Sequence, residues 1–118
     1  MTVVVPLRLV SIANARMHWA AKAKLVKAQR QAVAASLLGE TPPALPVVVT
    51  ICRVAPRLLD MDNAVASMKA TIDQTASFLG VDDRDPRVTW RWAQRRGEPK
   101  QYRVEITIEP RAAVEAAA

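Results

Sequence analysis

The chain has 118 residues, a formal net charge of +6 and one cysteine, so it is read as one domain with one modest core and no room for a separate cofactor domain. Of its residues 51 % are hydrophobic, but 21 are alanine and five aromatic, and the mean hydropathy of +0.04 is that of a soluble chain. A lone Cys52 beside a single His18 excludes an internal disulfide and a zinc site, which points to a reducing compartment.

The apolar start Val3–Val5 is broken by Pro6 and Arg8 and has no basic residue ahead of it, so it does not read as a signal peptide. Residues 3–12 carry β-branched side chains and partial alternation and predict a strand, placed at a sheet edge because Pro6 cannot donate to a ladder. Asn14 is the expected cap of a first helix closed by Gly39. On that helix Trp19, Ala23, Val26, Val33 and Leu37 share a predicted buried face, flanked by a basic stripe of Arg16, Lys24, Lys27 and Gln31. Three prolines in 40–46 make a linker loop. Val47–Val54 is a continuous β-branched run, the mark of a strand covered on both faces, with Cys52 as filler.

A second helix is predicted from Asp62 or Asn63 to Leu79, with Gly80 as its stop. Residues 87–94 and 101–109 alternate strongly across a short Gly97/Pro99 segment, which reads as an antiparallel hairpin. The alanine-rich tail 110–118 is expected to fray. The resulting fold class is α/β (α+β): a small mixed sheet with two main helices and a C-terminal hairpin, forming a single domain over residues 1–109. No run of about 18 apolar residues offers a membrane span, and the cytosol is the expected compartment.

Charge is not evenly spread. All six aspartates, Asp60, Asp62, Asp73, Asp82, Asp83 and Asp85, fall in one window of 26 positions. Basic blocks flank it: Arg16, Lys22, Lys24, Lys27 and Arg30 before, and Arg84, Arg87, Arg91, Arg95, Arg96, Lys100 and Arg103 at its end and beyond. That arrangement is the footprint of a protein holding a polyanion around a metal ion. At 100° per residue Lys69 and Asp73 return to within about 20° of Asp62, so all three share one edge of the second helix beside its apolar stripe. Clustered carboxylates repel each other, and a hard divalent cation with oxygen ligands removes that penalty while stabilising charge on a phosphoryl group. Each residue also has a plainer reading, as helix cap, i,i+4 ion pair or turn former. The chain has no glycine-rich phosphate loop and no nucleophile elbow. His18 is read as a helix-start or DNA-contact residue, and Trp90 and Trp92 as core side chains able to stack bases.

The stretch Asp60-Met61-Asp62-Asn63, followed by Lys69, Asp73, Gly80 and Val81-Asp82-Asp83, resembles the D-x-D-N…K…D…G-x-x-DD signature of RusA-type Holliday junction resolvases. The resemblance implies a homodimer, dependent on Mg²⁺ with Mn²⁺ able to substitute, that resolves four-way DNA junctions by paired nicks in recombination and repair. It implies Asp60, Asp62 and Asp83 as metal ligands, with Asp82 as the alternative third ligand, and Lys69 as the lysine of the catalytic site. It also implies the cytoplasm of a bacterium or of a phage-infected host. Some members of the family carry the lysine closer to D-x-D-N, where this chain has Ala66, so the carry-over to Lys69 rests on its spacing from Asp73. Arg16, Lys24, Lys27, Arg30 and Arg57 are the candidate DNA-binding cations. Two alternatives stand beside this expectation: a non-enzymatic basic DNA-binding protein of the same fold, and an RNA-directed nuclease using the same carboxylates.

Overall fold

The structure, a computed structural model, describes residues 1–10 and 18–117. The chain runs β1 (Thr2–Val5), α1 (Trp19–Leu37), β2 (Val47–Ala55), α2 (Met61–Ser67), α3 (Lys69–Leu79), β3 (Val88–Arg96), β4 (Arg103–Pro110) and α4 (Arg111–Ala117). The four strands form one mixed sheet in the order β1-β4-β2-β3, with β2 parallel to β3 and β4 antiparallel to β1 and β2.

Period-two alternation sends Val3 and Val5 of β1, Val49 and Ile51 of β2, and Val104, Ile106 and Ile108 of β4 into one core. The register matches them across strands: Ile51 lies opposite Ile106, Val49 opposite Ile108, and Val3 opposite Ile106. Met68, Ile72 and Leu79 with Val33 and Leu37 cover that face from the helical side. Each fully buried aliphatic side chain is worth about 1.5–3 kcal/mol, so the strand with the strongest alternation gains most from a central place. This is why β4, and not β3, lies inside the sheet between β1 and β2.

That placement corrects the expected hairpin. The segment after β3 does not turn back on it; the Gly97 N–H donates to the Ala55 carbonyl at 2.9 Å, and the chain then crosses the end of β2 to pair with its other edge. β3 instead closes a β2–helix–β3 parallel unit, whose crossover supplies the length a parallel pair requires. Arg91, Arg95 and Arg96 on this edge strand are exposed, and such charges discourage further pairing at an edge. β1 does lie at the opposite edge, but stops at Val5, short of the expected extent.

Three other expectations are corrected. The second helix is two: Met68, at φ −91° and ψ −1°, ends α2 and opens α3. Ser67 Oγ donates to the Ala64 carbonyl at 2.6 Å, a back-bond that competes with regular helix, and fully buried Met68 anchors the break in the core. Asp62 therefore does not ride the same helix as Lys69 and Asp73. On α1, which starts at Trp19 with His18 as its N-cap, only the C-terminal half is core-facing: Val33 and Leu37 are buried, whereas Trp19 is 76 % exposed and Ala23 exposed. The expected Asn14 cap lies outside the described residues. Arg111–Ala117 is helical where fraying was expected. Gly80, at φ 74°, closes α3 in the left-handed conformation as expected.

Gln29 on α1 is 1 % exposed, and neither of its amide atoms has a hydrogen-bond partner among the described residues. A buried unpaired amide costs about 1–3 kcal/mol, while an apolar isostere carries no such cost. Gln29→Met is therefore expected to raise the melting temperature by a few degrees in calorimetry; a lower one would show that the amide is paired.

Candidate functional site

The segment from the end of β2 to the start of α3 carries the first half of the signature, and the turn 80–87 carries the second. Asp60 occupies the N-cap of α2, yet its carboxylate makes no capping hydrogen bond. Asp62 lies in the first turn of the same helix, and both are exposed. The N-terminal end of a helix favours negative charge, so two carboxylates are held here at low cost.

The loop before Asp60 is fixed by a residue that no sequence motif marks. Gln94 of β3 accepts from the Leu59 N–H at 2.9 Å and donates to the Leu59 carbonyl at 2.7 Å. It can reach because parallel pairing sets Gln94 opposite Arg53 at the end of β2, a contact that an antiparallel β3–β4 hairpin would not create. The only sequence signal was a polar residue continuing the Trp90, Trp92 face.

Turn 80–87 is anchored in the same way. Trp90 Nε1 donates to the Asp83 carbonyl at 2.9 Å, while Trp90 and Trp92 stack with centroids 6.1 Å apart and pack against the core. The rings, expected in the core, are half-buried and lie against it. Asp83 then meets Lys69: the ammonium lies 3.8 Å from Asp83 Oδ2 and 3.0 Å from Asp73 Oδ1. The hydrogen bond to Asp73, and behind it the charges of Asp73 and Asp83, raise the Lys69 pKa above its ordinary value. Asp82 accepts from the Arg84 N–H at 2.9 Å, and this bond, then Asp83, holds its carboxyl below the usual range. Asp85 takes two hydrogen bonds from the Arg87 guanidinium and one from its N–H, which lower its pKa to about 2.

The structure thus brings Lys69, Asp73 and Asp83 together, whereas Asp60 and Asp62 stand at the α2 start. Among the described residues no three His, Cys, Asp or Glu side chains form a group able to hold a metal ion. The donor chemistry at Asp60 and Asp62 still fits Mg²⁺, which takes one or two carboxylates and completes its shell with water and substrate phosphate oxygens. Of the two candidate third ligands, Asp82 accepts from its own turn and Asp83 pairs with Lys69.

Of the DNA-binding candidates, Lys24 and Lys27 are exposed on α1 and Arg57 is exposed just beyond β2. Arg30 is half-buried and donates to Gln74 Oε1 at 3.1 Å and to Ser77 Oγ at 3.5 Å across the α1–α3 contact. Arg16 lies outside the described residues. If α1 faces nucleic acid, Lys24→Ala with Lys27→Ala is expected to weaken binding to all DNA alike. The same pair of changes should flatten the salt dependence by about 0.9 in log–log slope for each phosphate no longer neutralised, as measured by fluorescence anisotropy. An unchanged slope would take this helix off the DNA. No helix among the described residues is long and apolar enough to cross a membrane.

Compared with family models and with curated proteins, the chain matches none.

Proposed function

We propose that the chain is a Mg²⁺-dependent, structure-selective endodeoxyribonuclease of the RusA type, acting as a homodimer on branched DNA. The observation that supports this reading is the 3.8 Å approach of Lys69 to Asp83, which sets the lysine of the D-x-D-N…K…DD signature beside its DD pair although fourteen positions separate them in the chain. Asp60 and Asp62 would hold the metal ion with Asp83 as the third carboxylate, and the bound ion would supply activation of water and charge neutralisation at the phosphate. Lys69, its side chain 67 % exposed, would exchange its surface pair with Asp73 for a phosphate oxygen and offset the negative charge that grows there. Gln94 and Trp90 act behind them as positioning residues for the Asp60 loop and the Asp83 turn. Paired nicks in opposed strands need two sites related by a two-fold axis, which a symmetric dimer supplies.

The second reading, a basic DNA-binding protein without chemistry, draws on the lack of three converging carboxylates among the described residues. Incubating the protein and Mg²⁺ with labelled four-way junction, linear duplex and structured RNA separates the readings. Junction-selective nicking is expected; tight binding without cleavage supports the second reading, and preferential RNA cleavage supports a ribonuclease.

A further inference from the structure

Arg53 is a charged residue within the sheet. It is 6 % exposed, near the end of the central strand β2, on the side-chain row that includes Ile51. Its guanidinium donates only to neutral acceptors: Nε to the Leu9 carbonyl at 3.4 Å, and Nη1 to the Arg57 carbonyl at 2.9 Å and to Gln94 Oε1 at 3.3 Å. Its Nη2 has no hydrogen-bond partner and no carboxylate forms an ion pair with it among the described residues, and positions 11–17 contain no acidic side chain. Buried charges are ordinarily paired, because desolvation costs several kcal/mol per ion.

Arg53 is one of the residues lining a cavity of about 470 Å³, alongside apolar side chains such as Leu9, Pro56 and Pro99. Arg8, Arg57, Lys100 and Tyr102 line the same cavity, and no acidic residue does. Arg8 stands over the Tyr102 ring at 4.4 Å, which fixes a second guanidinium at the rim. Four cations around one concavity without an anion form an arrangement that a phosphate group would complete, since arginine forks match phosphate oxygens in pairs. Leu59 also lines the cavity, and Asp60 follows it in the chain.

We propose that this cavity is a phosphate-binding subsite that grips a phosphate of the nucleic-acid strand next to the Asp60 carboxylates. The choice of a strand as occupant rests on the nuclease reading; the phosphate chemistry does not. The two sources of such a phosphate are an internal diester and a free monoester or inorganic ion.

The test is binding in EDTA, without any cleavage step, by calorimetry and thermal shift. The probes are inorganic phosphate, thymidine 5′-monophosphate and an unphosphorylated thymidine tetranucleotide, and the proteins are wild type, Arg53→Met and Arg8→Ala. Arg53→Met keeps most of the side chain's volume and removes its charge, and Arg8→Ala covers the case in which Arg53→Met does not fold. Wild type is expected to bind the tetranucleotide and to melt higher with it, and each variant to bind at least tenfold more weakly with a shallower salt dependence. Tighter binding of the free phosphates than of the tetranucleotide would reassign the cavity to a monoester and overturn the strand proposal. Unchanged tetranucleotide binding in Arg8→Ala and in folded Arg53→Met would overturn the subsite itself. A protein that binds here but never nicks a junction refutes the nuclease reading alone; one that nicks junctions while the variants bind normally refutes the subsite alone.

Discussion

Asp62→Asn is expected to abolish junction cleavage while leaving junction binding intact or tighter. The substitution keeps the size of the side chain, removes a charge able to hold a metal ion, and lowers repulsion of the DNA phosphates. Asp62 is exposed in the first turn of α2, where its favourable interaction with the helix end is worth about 0.3–1 kcal/mol, so the fold survives the change. Metal-assisted stabilisation of the transition state amounts to several kcal/mol, and at about 1.36 kcal/mol per decade a loss of about 4 kcal/mol is roughly a thousandfold in rate. Single-turnover nicking with a parallel binding titration reads both quantities. Asp60→Asn and Asp83→Asn should behave in the same way. If Asp82→Asn is inactive and Asp83→Asn is not, the third ligand is Asp82.

Lys69→Ala is expected to slow nicking by roughly a hundredfold, the equivalent of about 3 kcal/mol of transition-state contact, with little change in melting temperature. Its ion pairs with Asp73 and Asp83 are at the surface, where such pairs contribute about 0.2–1 kcal/mol. Because the folded state raises the Lys69 pKa, the stability from these pairs is present below the ordinary lysine value and is lost only as pH rises through the raised one. The ammonium thus stays charged through neutrality, and the pH profile of nicking in the neutral range should carry no inflection from it. Near-normal nicking by Lys69→Ala would make the residue a surface partner of Asp73 and remove it from the site.

The elements that were legible in the sequence are those whose signal is local. The β-branched run of β2, the alternation of β3 and β4 and the Gly80 stop each declare themselves within a short stretch of chain. Strand order is not local: pairing of β4 with β2 depends on how Ile106 and Ile108 compete with the polar side chains of β3 for the centre of the sheet, and a short polar link looks the same whether it turns or crosses. The break at Met68 was hidden because an unbroken helical period extends across it. Within the site, the Lys69–Asp73 pair is readable from an i,i+4 spacing, and the approach of Asp83 was anticipated only through the resemblance. Gln94 and Arg53 act through long-range contacts set by the parallel register, which no spacing in the sequence encodes, while Trp90 holds the Asp83 carbonyl seven residues before it.

Metal-dependent hydrolysis of branched DNA by this group of carboxylates is tested most directly by nicking of an end-labelled four-way junction. The wild-type chain is incubated with the junction in Mg²⁺ and in EDTA, and the strands are resolved on a denaturing gel. Paired nicks at symmetric positions with Mg²⁺ and none with EDTA are predicted. Intact strands in both lanes, with the junction bound, or equal cleavage in both, would contradict metal-dependent hydrolysis at these residues.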